Sequence, residues 1–188
     1  MRLTADVARV TADPSRVTAV VLAAGGSTRL GAPKQLLPFR GTTLLQHAAD
    51  TARAACEQVR VVVNSVLAGA VGGVEVVVNE EWEEGIASSI RCGVEGLRGG
   101  VVLLLCDQPL VTAEHLRALI AAGAPIAATG YRGIAGVPAY FASRFLEELR
   151  ALRGDEGARR LIERHGAATI PFEPAAFDVD TAADAQKL

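Results

Sequence analysis

Little in this 188-residue sequence would tie it to a nucleic acid, a membrane or a disulfide framework. Its formal net charge is −2, so there is no broad basic field to track a phosphodiester backbone, and nucleic acid is not expected as a partner. Cys56, Cys92 and Cys106 are odd in number, widely spaced and set in apolar segments, which fits neither a paired framework nor a zinc site. A reducing, cytoplasmic setting is the expectation. The valine-rich runs are too short to span a bilayer. Residues 1–16 carry Arg2, Asp6, Arg9 and Asp13 without an apolar stretch, so they read as a loose extension rather than a leader or an anchor. Two phosphate-binding signatures are also missing. Lys34 lies between Pro33 and Gln35, which breaks the pattern GxxxxGK[ST] and argues against a P-loop ATPase. No GxGxxG occurs, which argues against a dinucleotide-dependent oxidoreductase.

Half of the residues are hydrophobic and 21% are charged, a globular composition. A chain of this length is most simply one domain, here expected over 17–188, and it buries roughly 70% of the surface its unfolded form exposes. Short apolar runs at 17–23, 60–64, 74–78, 101–106 and 126–129 have strand length, and a further strand is expected at VPAYF, 137–141. Helical spacing appears between them. Leu44, Leu45, Ala48, Ala52 and Ala55 share one face within 41–58, and Ile86, Ile90, Val94 and Leu97 share one within 86–97. Thr112 is placed to cap a helix reaching about Ala122. The alternation implies an α/β fold, a three-layer, doubly wound, mostly parallel sheet of Rossmann-like type.

The most informative stretch is VVLAAGGSTRLGAPKQLLPF, from Val20 to Phe39. A buried parallel strand ends at the sheet edge where α/β proteins bind ligands. Gly25 and Gly26 then allow close backbone approach, so successive N–H groups can face phosphate oxygens. Ser27 and Thr28 add hydroxyl donors, Arg29 a planar fork and Lys34 a compact charge, with Pro33 stiffening the chain just before it. The same residues could instead form a tight strand-to-helix turn whose cations only face solvent.

Asp107 follows the most apolar strand, VVLLLC, and so sits on the same edge, where magnesium would find an oxygen ligand. It could equally organise the turn by bonding backbone amides. Asp178 and Asp180 are two apart and would face one side of an extended segment. Thr181 with Asp184 forms a capping pattern, which leaves Asp180 the alternative of serving that helix start. His47, His115 and His165 lie in helical patterns without metal-ligand spacing and read as structural.

The string LAAGGSTRLGAPKQLLPFRGTTLL resembles the opening signature of the MobA-like nucleotidyltransferases. The resemblance continues in family order through NEEWEEGIASSIRCG, LLLCDQPLVT, the glycines of YRGIAGVPAYF, GDEGARRLI and DVDTAAD. It implies a nucleotidyltransferase fold and Mg²⁺-dependent transfer of a nucleoside monophosphate from a nucleoside triphosphate to a small phosphorylated acceptor. It also implies the site. Leu22, Ala23, Ala24, Gly25, Gly26, Ser27, Thr28, Arg29, Lys34, Asn79, Ser88, Ser89 and Asp107 would bind the nucleotide. Arg29, Lys34 and Asp107 would carry catalysis, and Asp107 with Asp180 the metal. Gly133, Gly136, Pro138, Asp155 and Arg159 would meet the acceptor.

Ala24 in LAAG and the string CDQP are similar to the cytidylyl-transferring branch, so CTP and a molybdopterin acceptor are expected, with molybdoenzyme apoproteins of the xanthine dehydrogenase type as further partners. The chain departs from the family at Val137, where many relatives have histidine between the glycine and proline. A nucleotidyltransferase for a sugar-1-phosphate or other small phosphate would use the same loop and metal. A non-catalytic cofactor-handling protein would keep affinity without turnover. From residue chemistry alone, Ser88, Ser89 and Arg91 could meet an anion at a helix start, Glu80, Glu81, Glu83 and Glu84 around Trp82 form a solvated acidic loop, and Asp155 and Arg159 could belong to a capped helix with an exposed cation.

Overall fold

The structure, a computed structural model, describes residues 16–26 and 33–186. The predicted phosphate-loop residues Ser27, Thr28 and Arg29 lie outside the described residues, as do residues 1–15 of the expected extension 1–16.

The strands in chain order are β1 (Val17–Leu22), β2 (Pro38–Phe39), β3 (Thr42–Thr43), β4 (Gln58–Val63), β5 (Glu75–Val78), β6 (Gly100–Leu105), β7 (Ile126–Tyr131), β8 (Ile134–Phe141) and β9 (Ala168–Pro171). β2 and β3 pair with each other, and the other seven form a sheet in the order β5-β4-β1-β6-β8-β7-β9. Every pairing in that sheet is parallel except those of β8 with β6 and β7. β1 is buried at all of its positions, as expected of a strand covered on both faces.

Period-two alternation splits the core between two faces. Ala19, Val21, Val61, Val63, Val102 and Leu104 pack with Leu45, Ala49 and Ala52 of α1 (Leu44–Ala55), and also with Leu116 and Leu119. Val20, Leu22, Val62, Val101 and Leu103 face the opposite layer, against Ile90 and Val94 of α2 (Ile86–Val94). Leu116 and Leu119 belong to α3 (Ala113–Ile120), so α1 and α3 cover one face. Beside α2 on the other face lie α4 (Leu146–Ala151) and α5 (Arg159–His165), which contribute Leu149, Leu161 and Ile162. A short α6 (Ala182–Ala185) follows near the C-terminus. The expected three-layer, mostly parallel α/β fold is the one observed.

Several boundaries differ from the expectation. The helix expected from residue 41 starts at Leu44, because Arg40 and Gly41 turn at φ 48° and 82° and pair β2 with β3. Thr43 then caps it, its Oγ1 accepting from Gln46 N at 3.1 Å. α2 stops at Val94 rather than Leu97, as Glu95 becomes extended and Gly96 takes φ 70°. β9 was not anticipated, and α4 was not either. The predicted Thr112 cap is present, accepting from His115 N at 3.2 Å.

Gly93 marks the closest approach of α2 to the sheet. A Cβ there would lie 2.5 Å from Val20 Cγ1 and 3.0 Å from Val62 Cγ2, both fully buried β-branched side chains with little freedom to yield. Gly93→Ala gains about 1 kcal/mol of helix propensity. Overpacking at such a site costs about 1–3 kcal/mol, so the variant should unfold at lower urea concentration with an unchanged slope.

Candidate active site

The loop after β1 is held from beneath. Gln35, only 1% exposed, donates from Nε2 to Ala23 O at 2.8 Å and to Gly25 O at 2.7 Å. Asn64 Nδ2 donates to Ala24 O at 3.1 Å, and Ala23 N donates to Val62 O at 2.8 Å. These bonds tie three consecutive carbonyls back into the protein and fix the strand end at the rim of a hollow of about 410 Å³. Leu22, Ala23, Ala24, Gly25, Gly26 and Lys34 line it, and Ser89 and Asp107 face them. Gly26 is restricted by packing: a Cβ would stand 2.6 Å from the Trp82 ring. Trp82, read from the sequence as part of a solvated loop, therefore forms a wall of the crevice. Gln35 and Trp82 carried no sequence signal of these roles, since one is a buried polar residue and the other acts through a neighbour brought near by folding.

At the end of β6, Asp107 meets Lys34. Lys34 Nζ donates to Asp107 Oδ2 at 2.5 Å and to Asp180 Oδ1 at 2.8 Å. Asp107 Oδ1 is buried and has no hydrogen-bond partner among the described residues. The two aspartates, far apart in sequence, converge because the C-terminal segment is bound to the turn after β6. Val179 N donates to Asp107 O at 3.0 Å, and Gln108 Nε2 donates to Ala175 O at 2.9 Å. Val179 is fully buried beside Phe39 and Leu44, which turns Asp178 and Asp180 outward together. Thr181 and Asp184 satisfy the start of α6 reciprocally, Thr181 N donating to Asp184 Oδ2 at 3.1 Å and Asp184 N to Thr181 Oγ1 at 3.2 Å. The capping alternative for Asp180 is thereby taken by its neighbours.

Electrostatics reflects the convergence of two carboxylates on one ammonium, with Asp178 close by. Burial alone would depress the Lys34 ammonium, but the charges of Asp107 and Asp180 and the hydrogen bonds to both outweigh it, so its pKa stands above that of an ordinary lysine. Partial burial, followed by the negative charges of Asp107 and Asp180, pushes Asp178 up to about 6. Among the described residues, no group of three His, Cys, Asp or Glu side chains is arranged to hold a metal ion by itself.

The segment from Asn79 is bonded largely within itself. Asn79 Nδ2 donates to Ser88 Oγ at 2.9 Å and to Ser89 Oγ at 3.0 Å, and Ser88 Oγ donates to Gly85 O at 2.8 Å. Asn79 and Ser88 are buried and spend their polar atoms within this segment, Asn79 Oδ1 accepting from Glu81 N at 3.0 Å, and only Ser89 of the three lines the crevice. Arg91 is turned away as well, bonded to Glu84 and to Leu152 O. The anion-binding potential of this helix start is thus used internally.

A second hollow of about 190 Å³ adjoins the first through Leu22, Ile86 and Leu105. Gly136, Val137, Tyr131 and Arg159 line it. Gly136 lets the Tyr131 hydroxyl close in, since a Cβ would stand 2.7 Å from it. The structure places three of the residues expected at the acceptor away from this second hollow. Gly133, with Arg132, forms the two-residue turn between β7 and β8, both at positive φ, and lines neither hollow. Pro138 is buried inside β8, its carbonyl accepting from Thr129 Oγ1 at 2.6 Å. Asp155 lines the first hollow, beside Gly85, rather than the second. Each histidine is engaged in packing: His47 Nε2 lies 3.1 Å from Pro109 O, His115 Nε2 lies 2.8 Å from Thr129 Oγ1 with its ring stacked on Phe172, and His165 pairs with Glu148.

The site thus sets a glycine loop at the carboxyl end of β1 against two aspartates that share one lysine. Residues 19–169 match the model of the MobA-like NTP transferase domain. The chain belongs to this family. Membership makes it a nucleotidyltransferase by domain. The purine catabolism protein PucB of Bacillus subtilis (strain 168) is 33% identical over 162 residues, covering 77% of this chain and 79% of that protein. The nicotine blue oxidoreductase of Paenarthrobacter nicotinovorans is 36% identical over 118 residues, 58% of each chain. Among solved structures, Rv0371c from Mycobacterium tuberculosis H37Rv superposes with a TM-score of 0.79 at 35% identity, covering 93% of this chain and 97% of that one. Rv0371c in complex with manganese gives a TM-score of 0.76 at 34% identity, over 92% and 97% of the two chains. Among the described residues, no helix is long and apolar enough to cross a membrane.

Proposed function

We propose that this MobA-like domain transfers CMP from CTP to the phosphate of a small acceptor of the molybdopterin type, releasing pyrophosphate, with Mg²⁺ as the metal. The observation that carries the reading is the bridging of Asp107 and Asp180 by Lys34 beside the Gly25–Gly26 loop. The donor set fits the ion. Mg²⁺ is commonly held by one or two carboxylates, with substrate phosphates and water completing its shell, and the buried Oδ1 of Asp107 is an oxygen left for such a ligand. The manganese complex of Rv0371c supports a divalent ion in a related structure. When bound, the ion would neutralise charge on the triphosphate and polarise its α-phosphorus.

The chain's own residues would do the rest. Lys34, joined by Arg29 of the phosphate loop, would fix the triphosphate in line for attack. The acceptor phosphate oxygen forms the new bond to the α-phosphorus as the bond to the β-phosphate oxygen breaks. The acceptor is already ionised near neutral pH, so no protein nucleophile or general base is needed, and alignment with charge stabilisation supplies the catalysis. Ala23 and Ala24 line the crevice as in the cytidylyl-type LAAG sequence, which supports cytosine as the base. PucB, a relative named for purine catabolism, supports delivery of the product to molybdoenzymes of the xanthine dehydrogenase type. Arg159 at the second hollow would meet the acceptor phosphate.

The test is pyrophosphate release with each of the four nucleoside triphosphates, Mg²⁺ and molybdopterin. CTP should be turned over in clear preference to the others. Preference for GTP or ATP would overturn the base assignment, and no release from any of them would overturn the transfer reaction.

A further inference from the structure

The acidic turn after β5 stitches the two hollows together. Glu84 receives both terminal nitrogens of Arg91, Nη1 to Oε1 at 2.8 Å and Nη2 to Oε2 in a still shorter contact. From this pair, bonds cross to the segment before α5. Gly154 N donates to Glu84 Oε1 at 3.1 Å, Arg91 Nη1 donates to Leu152 O at 3.0 Å, and Ala87 N donates to Gly154 O at 3.1 Å. The seam is too tight for any side chain at Gly85. That residue holds φ 122°, and a Cβ would fall 2.4 Å from Gly154 O and 2.5 Å from Asp155 Oδ1. Hydrogen bonds from Arg91, and then from the Gly154 amide, hold the Glu84 carboxyl down to about 2, so the pair stays ionised at every working pH.

The seam joins walls of different sites. Trp82, Gly85 and Asp155 line the crevice proposed for the nucleotide. Gly157, Ala158 and Arg159, the next residues along the same chain segment, line the smaller hollow, and Ile86 lines both. A bidentate guanidinium–carboxylate pair has fixed geometry, unlike a lysine contact, and here it anchors two backbone groups of the facing segment, Leu152 O and Gly154 N.

We propose that Glu84 and Arg91 are positioning residues, a clamp that sets the acceptor wall against the nucleotide wall so that filling the nucleotide crevice orders residues 157–159. Neither side chain lines either hollow. The inference rests on the nucleotide crevice assigned under the proposed function. Coupling between sites of this kind is commonly worth 5- to 150-fold, and about tenfold is expected.

Amide hydrogen exchange of the full chain, with and without Mg²⁺ and a CTP analogue that cannot be cleaved between its α- and β-phosphates, reads the coupling directly. In the wild type the analogue should slow exchange at residues 157–161 by about tenfold. In Arg91→Gln the analogue should still protect the β1 loop while protection at 157–161 falls to near none, and Glu84→Gln should act in the same direction. Arg91→Lys should fall between. A merely structural role would raise exchange in the variants equally with and without the analogue. Equal protection of 157–161 in wild type and both glutamine variants would overturn the clamp while leaving the nucleotide site intact. Absence of any protection by the analogue in the wild type, at the β1 loop included, would overturn both the clamp and the site on which it rests.

Discussion

Asp107→Ala should lower pyrophosphate release from CTP by more than about a thousandfold while leaving the fold intact. The size follows from two contributions that one carboxylate makes together. Its buried Oδ1 is the oxygen available to a divalent ion, and its Oδ2 orients Lys34 at 2.5 Å. Under the proposed function, removing the side chain would take away a metal ligand and release the cation that should grip the triphosphate. Stability should change little by comparison. The backbone bond from Val179 N to Asp107 O remains, and Asp180 still partners Lys34. Steady-state rates read beside a thermal unfolding curve check the prediction, and near-wild-type turnover would remove Asp107 from the chemistry.

Lys34→Met should move two measurements in opposite directions. Turnover should fall by about two to three decades, the usual cost of losing one preorganised charge donor. Binding of Mn²⁺ in the absence of nucleotide should tighten, by about tenfold, because the ammonium contacts both carboxylates that the ion would use. Methionine keeps the length and the apolar stem of the side chain but not its charge. Calorimetric titration with Mn²⁺ gives the affinity without any turnover. A parallel loss of metal binding and activity would mean that Lys34 helps to hold the ion instead of standing in its place.

The candidate site was legible in the sequence where chemistry and secondary structure coincide. VVLAAGG and VVLLLCD each place a candidate site residue at the end of a buried strand, and such strands announce themselves by composition. β1 and β6 duly pair in register, Val17 with Gly100 through Leu22 with Leu105. Asp180 was legible for a different reason, since its spacing from Asp178 survives as one exposed face around the buried Val179.

What could not be read depends on contacts between distant segments. Asn79 and Ser88 looked available for a ligand, but the fold brings them within hydrogen-bond reach of each other. Arg91 looked like an anion donor, and only the approach of Leu152 and Gly154 shows its partners. Gly133 resembled a substrate-loop glycine, whereas its conformation serves a hairpin turn. β9 is short and exposed at Ala168, Thr169 and Pro171, so period-two burial leaves no trace in its sequence.

The most direct test is a crystal structure of the chain with Mn²⁺ and the non-cleavable CTP analogue, read by manganese anomalous scattering. The anomalous peak should contact the carboxylates of Asp107 and Asp180 and an oxygen of the triphosphate, with Lys34 moved from the aspartates to the phosphates. A peak remote from Asp107, or a triphosphate bound away from Gly25 and Gly26, would contradict the account.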